Sequence, residues 1–468
     1  MPSASETLAA FAAQLHFERL PAAVVTKVKL HLLDVLGVAL AGASMKFGAA
    51  VMRTAAAMGG PPTCTAIGFR DRLPAVWAAL VNGTLAHGLD YDDTHTESVV
   101  HVSTSVVPAA LAVGEETRAD GRRLLSALAA GLEANIRIGL VARGGFHDRG
   151  FHPTGICGTF ASALVAGQLA GLPMTQLADA LGLAGSQAAG SLEFLTDGTW
   201  AKRIHGGWAA HGGLVAARLA AAGFTGPRGT LDGRFGLYRS HLGDSGWDLA
   251  ALTDGLGARW ELLNIALKPY PCCHFNHAFI DAAAVLRTAV LRTAVLRTAS
   301  ILPAEAIDEI ECLIAAREVP IVCEPLASKR APQTDYDAKF SLPYAVASML
   351  VRGHVDVDDF TDAAIHDPQV LALAQRVVYR NDPDGGYPQR FGGRLRLRLR
   401  DGRVLEHHEP INRGSAERPL SADEVHDKFH RNAARVLPAA QVDAVIAAVA
   451  AIDHAGDLSA LTVALRAP

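Results

Sequence analysis

The sequence predicts a mainly α-helical protein with a smaller α+β domain inserted between two helical parts. Three observations carry that prediction. Through about residue 265, apolar residues recur at three- and four-residue spacings without sustained strand alternation. Beyond it the texture changes: residues 306–314 (AIDEIECLI) partly alternate, and RLRLRL at 394–399, Asp401-Gly402 and residues 403–407 read as a β-hairpin. From 421 to 464 the helical pattern returns and is expected to pack back on the first part. The expected parts are therefore 1–265, 266–412 and 413–468.

The elements follow in order. Residues 25–40 (VTKVKLHLLDVLGVAL) form one helix, ended by Gly42. Residues 74–86 and 108–113 give two more, each opened by proline, which suits a first helical position because it lacks an N–H. Residues 124–142 and 155–172 follow, then the alanine-rich stretch 208–222. Small residues at 155, 158, 159, 162, 163, 166, 167 and 170 let neighbouring helices approach closely. In the inserted part, residues 341–351 and 368–377 read as helical. Residues 284–298 repeat AVLRT three times. Each copy advances a helix by roughly 500°, so Arg287, Arg292 and Arg297 point in different directions and make no basic face.

Composition narrows the function classes. With 468 residues, half of them hydrophobic and 19% charged, the chain can bury a large core and is not disordered. The net charge is −4 and the basic residues are scattered, which argues against nucleic acid and anionic membranes as partners. The weakly polar run 155–172 carries Gln168 and many small residues, a better buried helix than a membrane span. The first twenty residues lack a secretory pattern, and the six cysteines show no CxxC or zinc-finger spacing. A cytoplasmic protein with free thiols is the expectation. There is no GxGxxG, Walker A or GxSxG motif to support nicotinamide, nucleotide or serine-hydrolase chemistry.

Five polar clusters could carry chemistry. The densest runs from His87 through Asp90, Tyr91, Asp92, Asp93, Thr94 and His95 to His101 and Ser103. These residue types suit a metal site, a set of helix caps and ion pairs, or an acid–base site, and no HExxH spacing singles out the metal. In the second cluster, Pro153 places His152 at a helix N-terminus, where the free N–H groups disfavour imidazolium and leave a neutral base. The alternative is a surface-loop histidine. The third holds Lys202, Arg203 and His205 before a Gly-Gly helix start, a fit for a carboxylate or simply a solvated basic loop. The fourth is Lys268-Pro-Tyr-Pro-Cys272-Cys273-His274-Phe-Asn-His277, whose cysteines suit packing better than nucleophilic attack. In the fifth, Lys339 and Tyr344 could reach a ligand, while Ser341 is equally a plain helix cap.

Seven segments in this order resemble the MmgE/PrpD family: LLDVLGVALAG (32–42), AHGLDYDDTH (86–95), VVHVST (99–104), GFHPTGICGTF (150–160), DGTWAKRIHGGWAAHGGL (197–214), KPYPCCHFNHAFIDA (268–282) and DAKFSLPYAVA (337–347). The resemblance implies a helical domain built from both ends of the chain, an inserted α+β lid, a homodimer, and neither metal nor organic cofactor. It also implies acid–base chemistry next to a carboxylate of a small di- or tricarboxylic acid: dehydration first, then epimerisation of the iminodisuccinate type or decarboxylation of the cis-aconitate type.

By resemblance to the decarboxylase branch, pocket residues fall on Asp90, Thr94, His101, His152, Lys202 and Lys268. The Asp90–His101 spacing is one residue longer than in the animal decarboxylases and is similar to bacterial members. Cys273 and Phe340 stand where those decarboxylases carry histidines, and His274 or His277 is the expected replacement. On this reading Lys202 and Lys268, joined by Arg203 and Lys339, clamp carboxylates. His152 and His101 supply base and acid, and Asp90 orients a histidine or donates a proton itself. The competing class is a carboxylate-binding protein without catalysis.

Overall fold

The computed structural model describes residues 2–291 and 304–468, so the end of the second AVLRT copy and all of the third, with Arg292 and Arg297, lie outside the described residues. The chain divides into two units: Met1–Leu192, Ala201–Leu267 and Ser421–Pro468 form the first, and Glu193–Trp200 with Lys268–Leu420 the second.

The first unit is helical apart from a short antiparallel ribbon, β1 (Cys64–Thr65) with β2 (Arg72–Leu73). Its centre is built from the helices Ala22–Ala43, Ala75–His87, Ser103–Thr117, Gly121–Ala142, Pro153–Leu169 and His205–Ala221. Several are buried almost all round, which is why their sequences read as apolar with weak faces. Gly121–Ala142 is long and apolar enough to cross a membrane, yet its apolar stretch is wholly buried among the other helices. Small residues make that density possible. A Cβ on Gly207 would come within 2.2 Å of the Leu80 carbonyl oxygen, and one on Gly83 within 2.6 Å of Gly207 Cα. The helices Ala75–His87 and His205–Ala221 therefore touch backbone to backbone. Gly207→Ala forces them apart and is expected to cost about 1–3 kcal/mol, the usual penalty for overfilling a packed core, read as a lower urea midpoint.

The helix expected at 108–113 is longer, Ser103–Thr117, with Pro108 in its interior. Its start is set from outside the helix: the Asp93 carboxylate accepts from Ser103 N at 2.9 Å and from Ser103 Oγ at 2.5 Å. That cap removes the need for proline as an opener. The last stretch supplies Ala422–Ala433, Ala439–Ala450 and Ser459–Ala464. The first of these opens with a reciprocal Ser421–Glu424 capping box, and its Phe429 packs against Gly37 of the Ala22–Ala43 helix.

The second unit holds a four-stranded sheet in the order β4–β3–β5–β6, with β3 (Ile307–Ile314), β4 (Val377–Asn381), β5 (Gly393–Leu399) and β6 (Val404–Glu409). The hairpin is β5–β6, with Leu397 opposite Leu405. Leu395, Leu397 and Leu399 face inward, while Arg396 bridges to Glu311 and Glu406 on the flanking strands. The helix expected at 368–377 stops at Ala374, and Val377 instead begins β4, which pairs parallel to β3. Ser341 caps the Leu342–Arg352 helix by accepting from Tyr344 N at 3.0 Å.

Candidate active site

The first unit gathers Asp90, His101, His152 and Lys202 into one buried cluster, together with three histidines that sequence reasoning did not select: His87, His147 and His205. The loop after the Ala75–His87 helix turns at Asp90, whose φ of +53° is a left-handed conformation that aspartate tolerates better than most residues. Lys202, on a short 3₁₀ turn before the His205–Ala221 helix, donates from Nζ to Asp90 Oδ1. Both residues are almost wholly buried. His101 Nε2 lies 3.8 Å from the same Asp90 oxygen.

Asp92 joins two histidines: His87 Nδ1 is 2.7 Å from its Oδ2 and His101 Nδ1 is 3.2 Å from its Oδ1. Burial alone would raise the Asp92 carboxyl, but the charges and hydrogen bonds of His101 and His87 outweigh it and hold it well below the usual range. These three side chains offer ligand atoms within 4.8 Å of one another, a His–Asp–His set of the kind a divalent cation takes. As placed, each Asp92 oxygen faces one of the two histidines.

His152 stands immediately before the Pro153–Leu169 helix, as the position of Pro153 led one to expect, and its side chain makes no capping bond to that helix. Its backbone N–H donates to Gly190 O at 3.0 Å, and Thr154 Oγ1 of the same helix accepts from His101 N at 3.0 Å. The His152 ring stacks on His87 with centroids 5.4 Å apart, and His152 Nδ1 is 2.9 Å from His205 Nδ1. Two Nδ1 atoms at that distance share one proton, so each ring is donor or acceptor according to the tautomer. Burial, then the proximity of His205 and Lys202, keeps His152 well below the usual imidazole range. Burial likewise lowers His205 and His147 to about 3. The cluster therefore sets the Lys202–Asp90 ion pair beside three imidazoles, those of His147, His152 and His205, that burial keeps neutral.

That preference has a measurable consequence outside the cluster too. His95, buried with Nδ1 3.0 Å from Ser98 Oγ, is lowered by burial to about 4. In the unfolded chain it titrates near 6.5. Below that pH the unfolded state binds a proton that the folded state refuses, so stability falls as pH drops from about 6.5 towards 4. Each such histidine contributes a slope of at most about 1.4 kcal/mol per pH unit. Urea midpoints at pH 7.5, 6 and 5 are expected to fall, and His95→Gln to flatten the decline.

Of the other expected site residues, Thr94 is buried in the first unit. Its backbone pairs with Ala266, and its Oγ1 has no hydrogen-bond partner among the described residues. Arg203 is buried with its guanidinium 4.5 Å over the Phe47 ring. Lys268 is the first residue of the long segment of the second unit and is buried. In that unit His274 Nε2 faces Asn412 Nδ2 at 2.6 Å, and His277 Nε2 donates to Cys272 O at 3.2 Å. Lys339 donates to Pro271 O at 2.7 Å, and Tyr344 Oη donates to Asp359 O at 2.5 Å. These four side chains thus hold their own unit together. All six cysteines are buried free thiols.

A model of the MmgE/PrpD N-terminal domain matches residues 6–250, and one of the C-terminal domain matches residues 270–454. The chain belongs to the MmgE/PrpD family. Among MmgE/PrpD relatives it is similar to cis-aconitate decarboxylase of Mus musculus, 28% identical over all of this chain and 94% of that one. It is also similar to the Homo sapiens protein of the same description, 28% identical over 95% of this chain and 91% of the other. A mitochondrial 2-methylcitrate dehydratase of Yarrowia lipolytica is 29% identical over 26% of this chain and 25% of its own. These relatives are lyases by description, and none of the three is an isomerase. The MmgE/PrpD fold, mainly helical with an inserted sheet domain, is the one expected from the sequence.

Proposed function

We propose that this chain is a lyase that moves a proton at a carbon beside a carboxylate of a small di- or tricarboxylic acid. The observation that carries the reading is the pairing of His152 with His205 beside the Lys202–Asp90 ion pair, all of it buried. A ring held neutral keeps a lone pair with which to act as a base near pH 7. When the shared proton sits on His152 Nδ1, His152 Nε2 presents a lone pair. When it sits on His205, His152 Nε2 carries the ring's own proton and can donate a hydrogen bond but is no base. Lys202, oriented by Asp90, supplies a fixed positive charge for a substrate carboxylate in a site shielded from water. Asp92 steadies His101 as the opposite proton carrier.

Decarboxylation is the first reaction to test, because relatives aligned over nearly the whole chain are cis-aconitate decarboxylases. There the bond from carbon to a carboxylate breaks, CO₂ leaves, and the remaining electron pair takes a proton from the acid. A second reading, dehydration, is favoured by Cys273 and Phe340 standing where the decarboxylase resemblance expects histidines. There the base takes a C–H proton, a C=C bond forms, and the hydroxyl departs as water with a proton from the acid. Purified protein is incubated with cis-aconitate or 2-methylcitrate in D₂O, following CO₂, absorbance of the unsaturated acid and deuterium uptake. CO₂ release with deuterated product supports the first reading and a rise in absorbance with 2-methylcitrate the second. The absence of both turnover and exchange with either acid overturns the proposal. Lys268→Ala, assayed alongside, tests the role that the resemblance assigns to Lys268.

A further inference from the structure

The loop from Asp90 to His101 is strained and nevertheless sharply set. Asp90 and Val99 both take positive φ, +53° and +54°. For the β-branched valine in particular that is an outlier, and such conformations cost about 1–3 kcal/mol each unless the surroundings impose them. Groups from two helices that carry none of the proposed chemistry hold this loop at Tyr91 and Asp93.

The Ala22–Ala43 helix is apolar and buried over its second half, yet it bears Lys27, His31 and Asp34 at i, i+4 and i+7, one polar stripe down one face. His31 Nδ1 is 2.5 Å from Asp93 Oδ2, the carboxylate that also caps the Ser103–Thr117 helix. Lys27 Nζ donates to Ile265 O at 2.8 Å, one residue before the strand-like pairing of Ala266 with Thr94. Asp34 pairs at 2.7 Å with Lys428 of the Ala422–Ala433 helix. Lys428 Nζ in turn donates to the carbonyl of Tyr91 at 3.0 Å and sits 3.9 Å over the Tyr91 ring. That carbonyl belongs to the peptide joining Tyr91 to Asp92, between the carboxylate held by Lys202 and the one held by His87 and His101.

We infer that Lys428, backed by Asp34, is a positioning residue that sets the Asp90–Asp92 backbone and thereby the two carboxylates of the cluster. A buried lysine–aspartate pair is a poor way to gain stability, since taking both charges out of water offsets most of their attraction. Its geometry is specific instead: one ammonium fixes a carbonyl and a ring of the strained loop. The kinetic part of the inference rests on the function proposed above; the structural part does not.

The test uses the full chain labelled with ¹⁵N-histidine. Imidazole signals of His87 and His101, assigned by single substitution, are compared in the native protein, Lys428→Met and Lys428→Arg without substrate. Circular dichroism and thermal unfolding check the fold. Lys428→Met is expected to remain folded, to shift the His87 and His101 signals, and to lower kcat by about 10–100-fold, the scale of an ångström-level misplacement, with KM little changed. Lys428→Arg is expected to recover most of both. A folded Lys428→Met protein with unshifted signals overturns the inference, whether or not any substrate is turned over. If Lys428→Met does not fold, Asp34→Asn, which keeps the size and removes the charge, is judged by the same signals. If the native protein turns over neither acid, the spectra alone decide.

Discussion

His152→Ala is expected to lower turnover by about 10²–10⁴-fold, the usual effect of losing one general acid or base. The fold should survive, because the backbone link from His152 N to Gly190 O does not need the side chain. A second substitution makes the result specific. His205→Asn removes the partner that faces His152 Nδ1 at 2.9 Å but leaves the His152 ring in place. If His205 acts only by holding the tautomer, its loss should fall mainly on kcat and move the acid limb of the pH profile. His152 is kept below the ordinary imidazole range first by burial and next by the proximity of His205. Removing His205 lifts the second influence, so His152 should take up a proton at higher pH and the base form should be lost earlier on acidification. A His152→Ala protein with native turnover would remove the base from the mechanism.

Lys202→Met should cost both activity and about 3–5 kcal/mol of stability. Asp90 is almost wholly buried, and deleting its ammonium partner leaves a carboxylate without its closest compensating charge. The diagnostic variant is Lys202→Met combined with Asp90→Asn. Asparagine accepts the positive φ of position 90 and is uncharged, so the double variant should recover most of the lost stability. It should recover none of the activity, because the fixed positive charge proposed to hold a substrate carboxylate is gone. Urea melts of the single and double variants separate the two effects. Recovery of turnover along with stability would show that the ion pair serves the fold and not the reaction.

The runs that hold Asp90, His101, His152 and Lys202 were legible because each carries several ionisable neighbours, which apolar packing alone does not explain, and the family resemblance singled out these four within the runs. His87, His147 and His205 sit in the same runs, but one histidine among several carries no mark of which face it presents. Only three-dimensional proximity, such as the 2.9 Å between His152 and His205, picks them out. His31, Asp34 and Lys428 were invisible for a different reason. On paper they are ordinary polar residues of amphipathic helices, and the partners of Lys428 lie more than three hundred residues away. The sheet shows the same limit. The hairpin β5–β6 announces itself through alternation and a tight turn, whereas β4 follows a helix directly and owes its form to the parallel partner β3, far earlier in the chain. The helix starting at Ser103 was placed late because its cap, Asp93, is ten residues upstream and not adjacent.

The first unit is closed by a segment far along the chain, since Ser421–Pro468 belongs with Met1–Leu192 and Ala201–Leu267. During synthesis, every group of the histidine cluster has left the ribosome by the time residue 205 emerges. The lysine that fastens the loop beneath them is translated more than two hundred residues later. Until then the nascent polypeptide carries these side chains on a loop that Lys428 does not yet hold. Truncated products that end before Lys428 should accordingly lose at least the roughly 10–100-fold in kcat expected of Lys428→Met, even where their remaining helices fold.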